Sequence, residues 1–210
     1  MQALRKLRQQ KPTAAHVAVQ DVVEHCFANA KESMLVTENV DGVHAQLMRG
    51  SPLLSGFIVD RVPGEHDFAF TENVYEVNGN AFFCRCFEEC SGRVYPMELF
   101  EGSDEVPLCP DCQVGLLRPH VVWSDETCND LFHKESAVKE FAKDMDALVI
   151  VGSLLDLSLA RGVAFEALQK NLLVVEVNEK PSIEVGNVLR INEDCQTGVA
   201  KLADAFLTSA

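Results

Sequence analysis

The chain has 210 residues, of which nearly half are apolar and about a quarter are charged, a balance typical of a globular domain with its own core. Its net charge of −14 argues against direct contact with nucleic acid, because acidic surfaces repel phosphates. No apolar run in the sequence approaches the roughly 20 residues that cross a bilayer, which argues against a membrane span.

The chain opens with a basic segment that contains no acidic residue before Asp21. Its cations are Arg5, Lys6, Arg8 and Lys11. Two interpretations are open: an organelle presequence, or exposed cations at the start of the fold. A capped helical pattern follows at Pro12-Thr13 and favours the second interpretation. No secretory signal is visible, so we expect an intracellular location, either mitochondrial or cytoplasmic.

Short apolar runs alternate with helical patterns along much of the chain. The predicted strands span residues 34–37, 148–151, 172–177 and 187–191, and the predicted helices span residues 14–28, 135–143, 159–170 and 198–207. Such alternation predicts an α/β fold in which helices cover a parallel sheet.

Residues 45–125 differ from the rest of the chain, because they are rich in Phe, Gly, Pro and Cys and have weak periodicity. We therefore predict two parts. Residues 1–44 and 126–210 form the sheet-containing core, and residues 45–125 form an inserted lobe built around metal.

Four of the eight cysteines form two close pairs in this lobe, Cys86 with Cys90 and Cys109 with Cys112. Paired thiolates on tight turns suit tetrahedral zinc, and a site with four thiolates and no water is structural. Cys84 competes for a place in the first pair, although we prefer Cys86 and Cys90. The alternative is that these cysteines are free thiols packed as small hydrophobes.

Five motifs, taken in order, resemble the sirtuin family of NAD-dependent protein deacylases. They are Lys11-Pro12-Thr13-Ala14-Ala15-His16, Leu35-Val36-Thr37-Glu38-Asn39-Val40-Asp41-Gly42-Val43-His44, Leu116-Leu117-Arg118-Pro119-His120-Val121-Val122-Trp123, Val149-Ile150-Val151-Gly152-Ser153 and Val174-Val175-Glu176-Val177-Asn178. Together with the cysteine pairs, they extend the resemblance over almost the whole chain.

The resemblance implies cofactor-binding roles for Asn39, Asp41, Gly152, Ser153 and Asn178. Each has a simpler interpretation, because Asn, Asp and Gly often cap or turn the chain after a strand. The resemblance also implies that the sequence begins downstream of the family's first strand and Gly-rich phosphate loop, which argues against NAD binding. The expected fold class is therefore α/β, an incomplete doubly wound (Rossmann-like) parallel sheet with an inserted zinc-binding lobe.

The sequence departs from the sirtuin pattern at several positions where the family does its chemistry. The family's general base is a His eight residues before the first zinc cysteine, and here that position is Asn78, an amide without a basic nitrogen. Glu38 replaces a Gln beside the catalytic Asn, and Leu154 replaces a hydroxyl residue. Ser124-Asp125 stands where the family has Phe-Gly, and Trp123 is expected in the core.

These departures favour a sirtuin scaffold that is catalytically inactive and acts as a structural or interaction subunit. One alternative is an NAD-dependent deacylase or ADP-ribosyl transferase completed by a partner chain, with Glu38 or His120 as the replacement base. A second alternative is a weak NAD- or ADP-ribose-binding regulator.

An incomplete sheet would leave the strands at 34–37 and 148–151 without their shared neighbour. Three remedies are open: the two strands pair directly, residues 45–75 supply a strand, or a protein partner covers the sheet. Exposed strand edges and a bare apolar face invite such a partner, so we expect one.

Overall fold

A computed structural model describes residues 2–50, 58–60, 69–71, 74–100, 105–184 and 186–208. Its helices are α1 (Gln2–Leu7), α2 (Ala14–Ala28), α3 (Val43–Gly50), α4 (Asp130–His133), α5 (Glu135–Lys143), α6 (Ser158–Gln169) and α7 (Cys195–Thr208). Its strands are β1 (Leu35–Thr37), β2 (Ile58–Asp60), β3 (Ala69–Thr71), β4 (Val74–Glu76), β5 (Gly79–Cys86), β6 (Val94–Pro96), β7 (Leu117–Val121), β8 (Ala147–Val151), β9 (Leu173–Val177) and β10 (Val188–Ile191). Within these residues, no helix is long and apolar enough to cross a membrane.

The chain divides into two compact units. Unit 1 comprises Met1–Lys11 and Met34–Lys134, and unit 2 comprises Pro12–Ser33 and Glu135–Ala210. Each unit has its own strands and its own buried core. The sequence predicts a core of residues 1–44 and 126–210 and an inserted lobe of residues 45–125. These bounds differ from those of the two units, and the predicted division stays a prediction.

Unit 2 is built on a parallel sheet with the strand order β10-β9-β8. Apolar side chains of this sheet contribute to two buried clusters. One cluster contains Ile150, Ala164, Ala167, Val174, Ile183 and Val188. The other contains Ala15, Ala18, Val177, Val199 and Ala203. Because helices supply part of each cluster, the predicted α/β class is confirmed.

Unit 1 combines a parallel strand pair with an antiparallel sheet. β1 pairs with β4 in parallel, with Leu35 opposite Val74, and β5 lies between β6 and β7 in an antiparallel sheet. β2 pairs with β3 in a separate antiparallel pair. The core of this unit includes several cysteines, which is unusual for a sheet but expected where thiols gather around a metal. Its buried members are Leu4, Ala81, Cys84, Cys86, Tyr95, Met97, Cys109, Leu117 and Val121.

β1 and β8, which the sequence predicts to lack a shared neighbour, each have an open edge, as do the other outer strands of the described sheets. β8 is paired to β9 along one edge, and β1 is paired to β4 along one edge. Among the residues that the structure describes, neither strand has a partner along its second edge. The partner that β1 does have, β4, begins at Val74. β4 does not pair with β8, and the three expected remedies stay predictions.

The basic start of the chain is a short helix that packs into the fold. Leu4 of α1 is buried in the core of unit 1, and Leu7 packs against the same cluster. These contacts support the interpretation of the cations as exposed residues of the fold.

The expectation that Trp123 lies in the core is wrong, because its side chain is about half exposed. The chain turns directly after β7, where the N–H of Trp123 donates to Glu126 Oε2 at 3.1 Å and the N–H of Glu126 donates to Trp123 O at 3.0 Å. Turn residues face solvent even when they are aromatic.

Candidate metal centre and nucleotide-binding residues

Unit 1 brings the four predicted zinc cysteines into one cluster. The Sγ atoms of Cys86, Cys90, Cys109 and Cys112 all lie within 4.8 Å of one another. The distance between Cys90 Sγ and Cys109 Sγ is 3.6 Å, and the distance between Cys86 Sγ and Cys112 Sγ is 3.8 Å. Cys86 is held at the end of β5, and a turn between the N–H of Gln113 and Cys109 O presents the second pair.

These distances fit a zinc ion. Zinc binds thiolate sulfur at about 2.3 Å, and a regular tetrahedron of that radius separates its sulfur atoms by about 3.8 Å. The two measured separations lie close to that value, and four thiolates complete the coordination without a water. The donor set therefore suits a structural ion, which would contribute to folding and not to catalysis.

Backbone donors stabilise one of these sulfurs as a thiolate. The N–H of Gly115 donates to Cys112 Sγ at 3.3 Å. Together with the N–H of Val114, it lowers the pKa of Cys112 to about 7. Loss of water and hydrogen bonds with the neighbouring thiols instead raise the pKa of Cys90 to about 12. All four groups can be thiolates together only when a cation balances them.

Two further residues support the cluster from outside the ligand set. The hydroxyl of Tyr95 lies 3.8 Å from Cys109 Sγ and hydrogen-bonds to Asp111, and burial raises the pKa of Tyr95, so the hydroxyl keeps its proton. Gly115 is packed so closely that a Cβ there would lie 2.6 Å from Cys86 Sγ. Sequence reasoning missed both residues, although a glycine three residues after the last cysteine was a usable signal.

Cys84 lies in the same core but outside the cluster. Its side chain is fully buried, and its Sγ contacts the carbonyl oxygens of Tyr95 and Pro96, each at 3.5 Å. Burial raises the pKa of Cys84 to about 12, which favours the neutral thiol. This environment suits the spare thiol that the sequence indicated, and not a ligand.

Asn78, at the predicted position of the general base, forms hydrogen bonds with the backbone of two other segments. Its Nδ2 donates to Glu38 O at 3.0 Å, and its own carbonyl accepts the N–H of Val122 at 2.9 Å. The amide therefore links the segments that follow β1, β4 and β7. It has no lone pair of sufficient basicity to take a proton from a ribose hydroxyl.

The remaining candidates in unit 1 lie in the turn between β1 and α3. Asp41 Oδ1 accepts the N–H of Val43 at 3.0 Å, at the start of α3. The N–H of Asn39 donates to Thr37 Oγ1 at 3.1 Å, and the Asn39 side chain is exposed. Asp41 therefore caps a helix, as in its simpler interpretation, whereas the Asn39 side chain is available to a ligand.

The candidates in unit 2 meet at the carboxyl ends of β8 and β9. Asn178 Nδ2 donates to Ser153 O at 2.9 Å, and Ser153 Oγ accepts the N–H of Leu155 at 3.1 Å. Gly152 has a φ of +62°, a conformation that a residue with a side chain rarely adopts. Ligands bind at this end of parallel sheets, so the three residues occupy a position that suits a nucleotide while they also hold the turn.

Arg118, within the sirtuin-like motif at residues 116–123, contacts Glu126, which the sequence did not reveal. The guanidinium of Arg118 makes a two-point ion pair with the Glu126 carboxylate, and one of the two hydrogen bonds measures 2.9 Å. Hydrogen bonding to Arg118 lowers the pKa of Glu126 below its usual value.

His120 and His133 are both buried, and their rings stack with centroids 5.3 Å apart and planes 10° apart. His120, named above as a possible replacement base, therefore packs inside unit 1.

Comparison with known proteins agrees with the motifs. No protein-family model matches the chain. An NAD-dependent protein deacylase of Thermus thermophilus is 28% identical over 179 residues, which cover 85% of this chain and 59% of the relative. The chain thus spans about three fifths of the length of the curated relatives that it matches.

Solved structures show the same fold. A Sir2 homologue in complex with NAD superposes with a TM-score of 0.71 at 19% identity, covering 97% of this chain and 68% of that one. A Sir2 homologue with a His-to-Asn mutation, in complex with ADP-ribose, also has a TM-score of 0.71 at 19% identity, covering 99% and 71% of the two chains. The resemblance that the motifs indicate is therefore confirmed.

Proposed function

We propose that this chain, which is a homologue of the sirtuins and of the NAD-dependent protein deacylases, is catalytically inactive and serves as an interaction subunit around a structural zinc ion. The observation that carries the proposal is Asn78. It stands where the sirtuin pattern has its general base, and its side chain is committed to Glu38 O. Loss of a general base alone typically removes roughly 10²–10⁴-fold in rate.

The environment of Asn78 offers no evident replacement base. Glu38 follows β1 directly and its backbone carbonyl binds the Asn78 amide, so it lies close to the required position. Its carboxylate would add a negative charge beside the ribose, in place of a neutral amide. His120 is buried and stacked on His133, which keeps it from reaching a substrate. These contacts favour an inactive scaffold over an enzyme that a partner chain completes.

The open edges of β1 and β8 support a subunit role. An unpaired parallel edge presents a row of N–H and C=O groups that another chain can bind. Val149 of β8 is exposed as well, so apolar surface accompanies the open edge. We propose that a protein partner covers the sheet of unit 2 at the open edge of β8. Size-exclusion chromatography with light scattering should show the purified chain as self-associated or aggregated, and the co-purified partner should relieve this.

The test of inactivity is nicotinamide release from NAD in the presence of an acetylated peptide. We expect no turnover above background by the full zinc-loaded chain. Asn78→His should not restore turnover, because Glu38, Leu154 and Asp125 also depart from the sirtuin pattern. A Sir2-type deacylase assayed in parallel shows that the conditions support the reaction. Turnover that Asn39→Ala abolishes would overturn the proposal.

The turn in unit 2 favours a second candidate function, the binding of ADP-ribose without chemistry. Gly152, Ser153 and Asn178 retain an ordered turn at the ligand-binding end of the parallel sheet. Calorimetric titration with ADP-ribose tests this function, with Asn178→Ala as the disrupting variant and Asn187→Ala, an exposed asparagine at the opposite end of the sheet, as the control. If neither the parent nor the control variant binds ADP-ribose, the second candidate is wrong and the inactive scaffold stands.

A further inference from the structure

The zinc lobe carries a row of exposed apolar side chains on the face opposite its cysteines. Phe87, Leu108 and Leu116 lie on three neighbouring segments, and Val106 and Val114 each stand two residues before Leu108 or Leu116 in the sequence. These five residues, here called the lobe patch, are 49% to 79% exposed. Exposed apolar side chains are ordinary when scattered, but a contiguous set marks a binding surface.

The strand register places the three central side chains side by side. Leu108 and Leu116 face each other in an antiparallel bridge, flanked by hydrogen bonds from the N–H of Cys109 to Gly115 O and from the N–H of Leu117 to Pro107 O. This pattern is that of a non-hydrogen-bonded pair, in which the side chains lie closest. On the other side of Leu116, the N–H of Phe87 donates to Leu116 O at 2.8 Å.

Burial alternates in step with this register. Cys86, Cys109 and Leu117, the sequence neighbours of the central three residues, are buried on the opposite face. Because successive side chains of extended backbone point to opposite faces, the central three share the outer face. The cysteine cluster therefore lies on the inner face of these segments, and the apolar row lies on their outer face.

The same geometry leaves a backbone edge open. In the pair of Leu108 and Leu116, the N–H and C=O groups of Leu108 point away from Leu116. Within the residues described by the structure, no hydrogen bond to these two groups is present. An extended segment could therefore pair beside Leu108 and place its alternate side chains against the apolar row.

The charges of the segments that carry the lobe patch indicate which charge a binding partner should have. Between residues 86 and 126, the described part of the chain contains seven acidic and two basic residues. Both cations are occupied, since Arg93 pairs with Asp111 and Arg118 pairs with Glu126. Glu88 follows Phe87 and Glu105 precedes Val106 in the sequence, and both side chains are exposed, so acidic residues flank the segments that carry the patch.

We propose that the lobe patch binds an extended protein segment in which apolar residues alternate with polar ones and Lys or Arg residues flank the apolar set. Cationic flanks complement the acidic rim, and they speed association at low salt. A second copy of this chain fits poorly, because two acidic rims would face each other across the interface. This inference does not depend on whether the chain turns over NAD.

A synthetic peptide tests the inference directly. The probe is a fluorescein-labelled 11-residue peptide with three leucines at alternate positions and two lysines at each end. Titration with the full zinc-loaded chain, followed by fluorescence anisotropy, gives the affinity. We expect the lysine peptide to bind at least about tenfold more tightly than a matched peptide with glutamates at the ends. Replacing its leucines by serine should abolish binding.

Variants then locate the contact. Leu108→Ser with Leu116→Ser should weaken binding of the lysine peptide by about tenfold or more, since both anchors are lost. Zinc content equal to that of the parent shows that the lobe is still folded. Leu131→Ser, which removes an exposed leucine of unit 1 outside the patch, is the matched control and should change the affinity less than about twofold. Glu88→Gln should reduce the dependence of binding on salt.

Several outcomes would overturn the inference. The lysine peptide could fail to bind, or it could bind the double variant as tightly as the parent, which would indicate nonspecific attraction to an acidic protein. Preference for the glutamate peptide would contradict the charge argument. Sedimentation that shows a dimer at micromolar concentration, abolished by the double variant, would identify a second copy as the occupant.

Discussion

At the scale of single residues, the cysteine cluster depends on neighbours that are not ligands. The buried Tyr95 hydroxyl contacts Cys109 Sγ and hydrogen-bonds to Asp111, and such contacts from outside the ligand set orient the ligands. We expect Tyr95→Phe to lower zinc affinity by roughly tenfold while the lobe still folds. Competition with a chromophoric chelator measures this. Tyr75→Phe is the matched control, and an equal loss in both variants would contradict the role of Tyr95.

The close packing of the cysteine cluster leaves no room for a side chain at Gly115. A Cβ at this position would lie 2.6 Å from Cys86 Sγ and 2.9 Å from Glu88 Cγ. We expect Gly115→Ala to displace Cys86, to cost about 1–3 kcal/mol of stability and to weaken zinc binding. Gly92→Ala is the control, because its added Cβ would meet only Leu131 at 3.4 Å. Denaturant titration compares the two variants, and unchanged stability in Gly115→Ala would show that the packing is looser than described.

At the scale of elements, the turn after β7 is held by the ion pair of Glu126 with Arg118 and by the N–H of Trp123. The pKa of Glu126 is lowered in the folded chain, chiefly by its hydrogen bonds to Arg118. The pair therefore stabilises the fold fully above the pKa of the unfolded residue, and this stabilisation is lost as the pH falls through the folded pKa.

We expect Glu126→Gln to cost about 1 kcal/mol at neutral pH, since the pair is partly exposed. The difference in unfolding free energy between parent and variant should stay constant above about pH 5 and shrink below it. Urea titrations at a series of pH values measure this difference. Glu135→Gln, which removes an exposed helical pair with Lys139, should cost less. A difference that is independent of pH would contradict the assignment.

The regular elements of unit 2 could be predicted from the sequence, because their apolar periodicity is strong. The predicted limits of α2 and α5 match those observed, and the strands differ from β8, β9 and β10 by one residue at their starts. α7 was predicted from Gly198 but begins at Cys195, because Asp194 Oδ1 accepts the N–H groups of Gln196 and Thr197. That capping carboxylate was visible in the sequence and was not used.

Unit 1 could be predicted only in part, for a physical reason. Spacing alone was enough to group the four cysteines, because a metal constrains ligands more strongly than a core constrains apolar residues. The pairing of β1 with β4 could not be foreseen, since three residues are too few to show a period. The same holds for α3, whose polar residues mask its pattern. The lobe patch emerges only when the strand register is known.

At the scale of the whole molecule, the two units should respond differently to loss of zinc. The cysteine cluster belongs to the core of unit 1, whereas unit 2 has apolar cores of its own. We expect a strong chelator to increase amide exchange in β5, β6 and β7 while β8, β9 and β10 keep their protection. Hydrogen exchange with mass spectrometry of the full chain measures both. Equal loss of protection in the two sets would show that the units unfold together.

The order of the elements along the chain delays the folding of unit 2, because its first helix is synthesised long before the rest of the unit. Its first helix, α2, ends at Ala28, but α7 and the sheet lie beyond residue 135. At synthesis rates of about 5–20 residues per second, α2 waits roughly 10–40 s before α7 has left the ribosome. During that interval unit 1 can already fold, while the apolar side of α2, with Ala15, Ala18 and Val23, has no sheet to cover it. A nascent chain of this protein is therefore a candidate for chaperone binding at α2 until α7 is made.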